Sequence, residues 1–108
     1  MEKTILISTT DKIPGREVVE ILGIVEGNTI RARHIGSDIV SGLKSIVGGE
    51  IKGYVKALSD ARQEARTRML EDAESMGADA VIMTRYATSQ VMTGAAEILA
   101  YGTAVKLR

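Results

Sequence analysis

A narrow stripe of apolar side chains, rich in alanine, runs through residues 50–76. Its members recur every three or four residues, which is the spacing of one helix face, and they are Val55, Leu58, Ala61, Ala65, Met69, Ala73 and Met76. The pattern predicts one long helix, and Gly77 is placed to end it. Because alanine buries little area but allows close approach, this helix is expected to pack tightly against a sheet or a partner helix.

The opposite side of this predicted helix is charged. It carries Asp60, Arg62, Glu64, Arg66, Arg68, Glu71, Asp72 and Glu74. Glu64 and Arg68 have the favourable i,i+4 order, but such a pair contributes only on the order of 0.2–0.5 kcal/mol. We therefore expect a solvated face, with packing and not charge holding the helix in place.

The last segment, residues 97–107, alternates in the manner of a strand. One face carries Leu99, Tyr101, Thr103, Val105 and Leu107, and the other carries Ala100, Gly102 and Ala104. Successive side chains of a strand point to opposite faces of its sheet. The face of alanine and glycine is the surface that a tightly packed helix requires beneath it.

Further elements are predicted by composition and spacing. Strands are expected at residues 4–8, 16–35 and 78–86, a short capped helix at 37–47, and a polar turn or edge segment at 87–96. Within the second strand, Ile30, Ala32 and His34 share one face. The order predicts an α+β domain whose mainly antiparallel sheet has a short and a long helix on one face.

Gly23 and the run Glu26-Gly27-Asn28 interrupt the second strand, and two interpretations of the stretch Gly23 to Asn28 remain open. It could form the turn of a hairpin, or a bulge in one long bent strand. The bulge is favoured, because the flanking segments are short for a free hairpin.

Composition excludes several classes of protein. The 108 residues contain no cysteine, which removes disulfides and thiolate metal sites. Fourteen basic and fourteen acidic residues give zero net charge, so neither a nucleic-acid partner nor an anionic membrane surface is expected. No apolar run reaches the length of a signal peptide core or a membrane helix. The sequence predicts a soluble, cytoplasmic protein.

The Gly48-Gly49 pair invites comparison with phosphate-binding loops. A Walker loop requires G-x4-G-K-[ST], whereas here Lys52 precedes Gly53 and no hydroxyl follows. A dinucleotide loop follows a strand, but a helix is predicted before this pair. We interpret Gly48-Gly49 as a break between two helices or as a sharp kink.

His34 is the only histidine and a candidate transition-metal ligand, with carboxylates near the axis of a ring of chains as the alternative. A single imidazole cannot form such a site alone, although a ring of identical chains could supply one copy per subunit. A structural role at the end of a strand is the commoner outcome. A divalent metal is the cofactor to test, and no catalytic motif stands out elsewhere in the chain.

Five short motifs occur in register over sixty residues. They are IVGG at 46–49, Tyr54, Ala61-Arg62, GADAV at 77–81 and GTAV at 102–105. This arrangement resembles the YbjQ-like family, small bacterial and archaeal domains that carry a heavy-metal-binding label. The resemblance implies a single YbjQ-like domain over residues 1–108, a dodecin-like subunit and a ring-shaped homopentamer.

The sequence departs from the family pattern at several positions. Family members commonly have arginine after the glycine pair and glutamate after the tyrosine, where this chain has Glu50 and Val55. The usual N-R-D element before the first helix is reduced to Gly36-Ser37-Asp38. A site built on those side chains is not expected to be preserved.

Two functions follow as hypotheses. The first is a non-enzymatic oligomeric binding or scaffold protein that holds a metal or small ligand at the ring axis or between subunits. The second is an enzyme with an active site between subunits. For the second, the resemblance implies that Asp38, Tyr54 and Arg62 contribute ligand-binding groups.

Overall fold

The computed structural model describes residues 4–32, 52–92 and 95–108, and of residues 31, 32 and 52–54 it describes the backbone alone. The elements are β1 (Leu6–Ile7), β2 (Val18–Ala32), α1 (Lys52–Ser75), β3 (Ala80–Met92) and β4 (Ala95–Leu107). The four strands form one sheet in the order β1-β3-β4-β2.

The predicted α+β class is confirmed, with one refinement to the sheet. β4 pairs antiparallel with both β2 and β3, but β1 pairs parallel with β3, so the sheet is mixed. The described residues contain one helix, α1. The predicted short helix at 37–47 and the Gly48-Gly49 break lie outside the described residues.

α1 packs across one face of the sheet, chiefly over β2 and β4. The middle of its alanine stripe is fully buried, as predicted, whereas Val55, Leu58 and Met76 at its ends are exposed. The face of alanine and glycine on β4 does lie beneath the helix. The resulting core comprises Val25, Ala61, Ala65, Met69, Ala73, Ala78, Val81, Ile98, Ala100 and Ala104.

Gly27 is a point of very close approach between α1 and β2. A Cβ atom built there would lie 2.3 Å from the Met69 backbone nitrogen and 2.4 Å from the Ala65 carbonyl oxygen. These distances are far shorter than van der Waals contact, so only glycine fits. The glycine therefore serves helix packing, and neither of the two interpretations from sequence described that role.

β2 is one continuous strand, so the hairpin interpretation is wrong. Its register shifts lie between Val18 and Glu20 and between Ile21 and Gly23, while residues 26–28 pair regularly with β4. Gly23 has φ of +143°, a conformation that side chains disfavour. The favoured interpretation of one long strand with a bulge is confirmed, with the bulge at the Gly23 end of the stretch Gly23–Asn28 and not at residues 26–28.

β3 runs to Met92, so the turn predicted over residues 87–96 is wrong for 87–92. The alternative of an edge segment fits, because within the described residues this part of β3 pairs with β4 alone. β4 begins at Ala95 and pairs with β3 along nearly its whole length. The side chains of β3 from Arg85 to Met92 are all exposed. Backbone pairing rather than apolar burial therefore forms this half of the strand, and a hydrophobic pattern cannot reveal it.

Gly77 ends α1 as predicted, with φ of +75°. Its N–H donates to the Glu74 carbonyl at 3.0 Å, and the Ala78 N–H donates to the Ala73 carbonyl at 3.1 Å. These two bonds form a Schellman motif, which satisfies the last carbonyl groups of a helix.

We expect Gly77→Ala to lower the free energy of unfolding by about 1 kcal/mol, because alanine is strained in the left-handed region. Urea denaturation followed by circular dichroism measures the change. Gly77→Asn is the matched control, since asparagine tolerates this conformation better and should lose less stability. Equal losses in both variants would contradict the backbone explanation.

Candidate interaction surface

The second face of the sheet is not covered by any helix of the described residues. We call it the open face, and the strand register aligns its side chains in rows across β2, β4 and β3. Its members are Ile24, Thr103 and Ile82; Glu26, Tyr101 and Arg85; Asn28, Leu99 and Ala87; and Ile30, Glu97 and Ser89.

One end of this face is closed by the loop at residues 11–17. Ile13 of the loop packs there, and Val105 and Ala80 are fully buried beneath it. The loop is held by the chain terminus, because the Arg108 N–H donates to the Glu17 carbonyl at 2.8 Å. Where the loop covers the open face, the apolar side chains of that face are buried and form this second, smaller core.

A hollow of about 570 Å³ lies at the same loop, lined by residues 11–18. Four of the lining residues are charged, namely Asp11, Lys12, Arg16 and Glu17. The two signs of charge are mixed and the hollow is partly open to solvent. It therefore selects neither an anion nor a cation, and it is a weaker candidate than the sheet face beside it.

Beyond the loop the open face exposes large apolar side chains. Ile24 is 74% exposed, Ile30 57% and Tyr101 37%. The side chains of β2 alternate between the two faces of the sheet, as predicted from sequence. Ile30 lies on the exposed face, and Val25, Gly27 and Thr29 lie on the buried face. Several large apolar side chains left exposed on one sheet face mark a candidate contact surface for another protein.

Polar groups on the open face are partly held in place. Asn28 Nδ2 donates to Glu97 Oε2 at 3.1 Å. The Arg85 guanidinium donates to the carbonyl oxygens of Thr9 and Thr84, both at 2.9 Å. The face is thus mixed in polarity and partly preorganised, as protein contact surfaces commonly are.

A bulge in β3 brings Arg85 to this face, and sequence reasoning missed it. Met83 has φ of +55°, and the register of β3 shifts between Ile82 and Arg85. The Met83 N–H donates to the Thr10 carbonyl at 3.0 Å, which ties the bulge to the chain after β1. A positive φ at methionine is uncommon. The residue type therefore gave no reason to predict a bulge at Met83.

The candidate residues chosen from sequence are only partly placed. His34 and Asp38 lie outside the described residues, and Tyr54 lies in the first turn of α1 with its backbone alone described. Arg62 is exposed on the charged side of α1. The structure therefore brings no two of these four side chains together within its described part.

The described residues do not fit a metal centre. No group of three or more histidine, cysteine, aspartate or glutamate side chains is positioned there to hold an ion. Cysteine is absent from the whole chain, and the single histidine is His34. Heavy-metal ions prefer thiolate and imidazole ligands, so the described part of the chain offers neither the ligand types nor the geometry.

The part of the chain that the structure describes folds into a mixed four-stranded sheet with one long helix on one face. A solved structure of a protein with unknown function from Pediococcus pentosaceus, assigned to the DUF74 family, is similar to it. That structure aligns with a TM-score of 0.67 over 96% of this chain and 98% of its own, at 17% sequence identity. This likeness establishes the fold alone.

The chain belongs to the YbjQ family. The sequence profile of that family, described as "Putative heavy-metal-binding", matches residues 5–108. A "UPF0145 protein" of Archaeoglobus fulgidus is 62% identical over 108 residues and covers all of both chains. Another from Methanosarcina acetivorans is 60% identical over 102 residues, 94% of this chain and 96% of its own. The family predicted from five short motifs is thereby confirmed.

Within the described residues no helix has the length and apolar character needed to cross a membrane.

Proposed function

We propose that the protein is a non-enzymatic binding or scaffold subunit that assembles with copies of itself through the open face. The observation that carries this proposal is the exposure of Ile24, Ile30 and Tyr101 on one sheet face. Burying apolar surface is favourable by roughly 25 cal/mol per Å². A second copy is the proposed occupant, because a ring of subunits is what the family resemblance implies.

Charge favours the same occupant. The chain has equal numbers of acidic and basic residues, so identical copies repel one another little. The open face itself carries both signs, on Glu26, Glu97 and Arg85. A dodecin-like ring of five subunits, formed by one single-domain chain each, is the specific assembly that we propose. A ligand would then lie at the ring axis or between subunits.

The test is a measurement of mass in solution, by native mass spectrometry and by light scattering. We expect the wild-type protein to have five times the mass of the chain. Ile24→Lys should weaken assembly by about tenfold or more, because it places a charge in an apolar contact. Adding zinc in a parallel sample reports in the same spectrum whether the assembled protein takes up a metal.

Two variants serve as controls, with circular dichroism as the check of folding. Ile24→Val keeps the apolar contact and should assemble like the wild type. Val55→Lys introduces the same charge at an exposed apolar position of α1, away from the open face. A wild-type protein of monomer mass at micromolar concentration, or equal effects of Ile24→Lys and Val55→Lys, would overturn the proposal.

A further inference from the structure

Among the strands that the structure describes, β2 lies at one edge of the sheet, and that edge is a place where another strand could add. It occupies the end of the sheet order and is 15 residues long. An exposed edge of that length presents unpaired N–H and C=O groups that invite pairing with another chain. Proteins that do not aggregate through their sheet edges therefore protect such an edge in some way.

Two side chains of α1 occupy the middle of the β2 edge. Asp72 Oδ2 accepts a hydrogen bond from the Glu26 backbone N–H at 3.3 Å. One guanidinium nitrogen of Arg68 donates to the Asn28 carbonyl at 2.6 Å. Glu26 and Asn28 are two residues apart, so their backbone groups lie on the same edge of the strand.

The spacing of the two contacts follows from the geometry of the two elements. Four residues of helix advance about 6 Å, and two residues of strand advance about 6.7 Å. Helix residues 68 and 72 therefore reach strand residues 28 and 26 when the two elements run in opposite directions. Gly27 makes this reach possible, because the helix backbone lies against the strand at that residue.

Arg68 is itself held in position along the helix. Its guanidinium forms a salt bridge of 2.5 Å with Glu64, one turn earlier. Glu64, Arg68 and Asp72 thus form one row along α1, with the last two directed at β2 backbone groups. Charged partners make stronger hydrogen bonds than neutral ones, so a neighbouring strand would have to displace two favourable contacts.

We propose that Arg68 and Asp72 form an edge clamp, which closes the middle of β2 to strand addition by a second copy of the chain. This inference goes beyond the proposed function, because it concerns a surface that a second copy does not use. It holds whether the wild-type protein is a monomer or a ring. Removing the clamp opens a new route of association that adds to whatever assembly the wild type has.

The double variant Arg68→Ala/Asp72→Ala tests the clamp. We expect a severalfold larger fraction of heavier species than in the wild type by light scattering, together with increased thioflavin T fluorescence. Lys56→Ala/Asp60→Ala is the matched control, since both residues are exposed on the same helix and are four residues apart, as Arg68 and Asp72 are. The net charge is unchanged in both double variants. A folded clamp variant with the mass distribution of the wild type would overturn the inference.

A second measurement keeps the test decisive if the double variant fails to fold. A synthetic peptide that copies residues 22–32 is added to the wild-type protein, and hydrogen exchange of the Glu26 amide is followed. The clamp predicts no binding of the peptide and no added protection of that amide. Binding of the peptide to the β2 edge of the wild type would overturn the inference.

Discussion

Replacing Gly27 with alanine is expected to lower the free energy of unfolding by about 3 kcal/mol, the upper end of the usual cost of overpacking. The added Cβ would lie 2.3 Å from the Met69 nitrogen and 2.7 Å from the Arg68 carbonyl carbon. These are backbone atoms of a packed helix, which cannot rotate away as a side chain can. Either α1 moves away from the sheet or β2 bends.

Gly15→Ala is the control for this prediction. Gly15 has φ of +78°, and a Cβ added there has nothing within 4 Å, so alanine meets backbone strain without a clash. We expect a loss of about 1 kcal/mol at Gly15. Urea denaturation of both variants at the same protein concentration measures the difference, because self-assembly makes apparent stability depend on concentration. A loss at Gly27 no larger than at Gly15 would contradict the close approach.

Met69→Ala is expected to have the second large effect. Met69 is fully buried between α1 and the sheet and is among the largest side chains of the core. The surrounding residues are mainly alanine and valine, which have no long side chains to fill the space that it leaves. Truncation should lower the free energy of unfolding by about 3 kcal/mol, from lost burial and the remaining cavity.

Met76→Ala provides the same substitution two turns further along the chain. Met76 is 39% exposed and follows the last residue of α1. Its truncation should cost about 1 kcal/mol or less, as expected of a partly solvated side chain. Thermal or urea unfolding of the pair tests the prediction, and similar losses at both positions would show that Met69 is not the centre of the core.

Local sequence patterns were sufficient to predict those helices and strands whose formation depends mainly on their own residues. The spacing of Ala61, Ala65, Met69 and Ala73 predicted the buried face of α1, and Gly77 predicted its end. The alternation of β4 predicted which of its faces the helix covers. These predictions succeeded because helix and strand periods are properties of the local chain.

The candidate surface could be predicted only in part. The alternation of Leu99, Tyr101 and Thr103 predicted a common face, and the structure confirms that they share it. That this face lacks a covering helix in the described residues depends on where α1 lies. The residue types of Arg68 and Asp72 suggested a solvated surface. They form hydrogen bonds with backbone groups of β2 only because that strand lies beside them.

The sequence by itself determined the α+β class, the long helix with its alanine stripe and the family to which the chain belongs, because periodicity and short motifs are carried by neighbouring residues. The tertiary structure alone decided the parallel β1, the role of Gly27, the bulge at Met83 and the length of β3. Each of these depends on backbone groups of segments far apart in the chain. Backbone pairing and close approach carry no signature of their own in the residue pattern, so they become visible only when the two segments lie side by side.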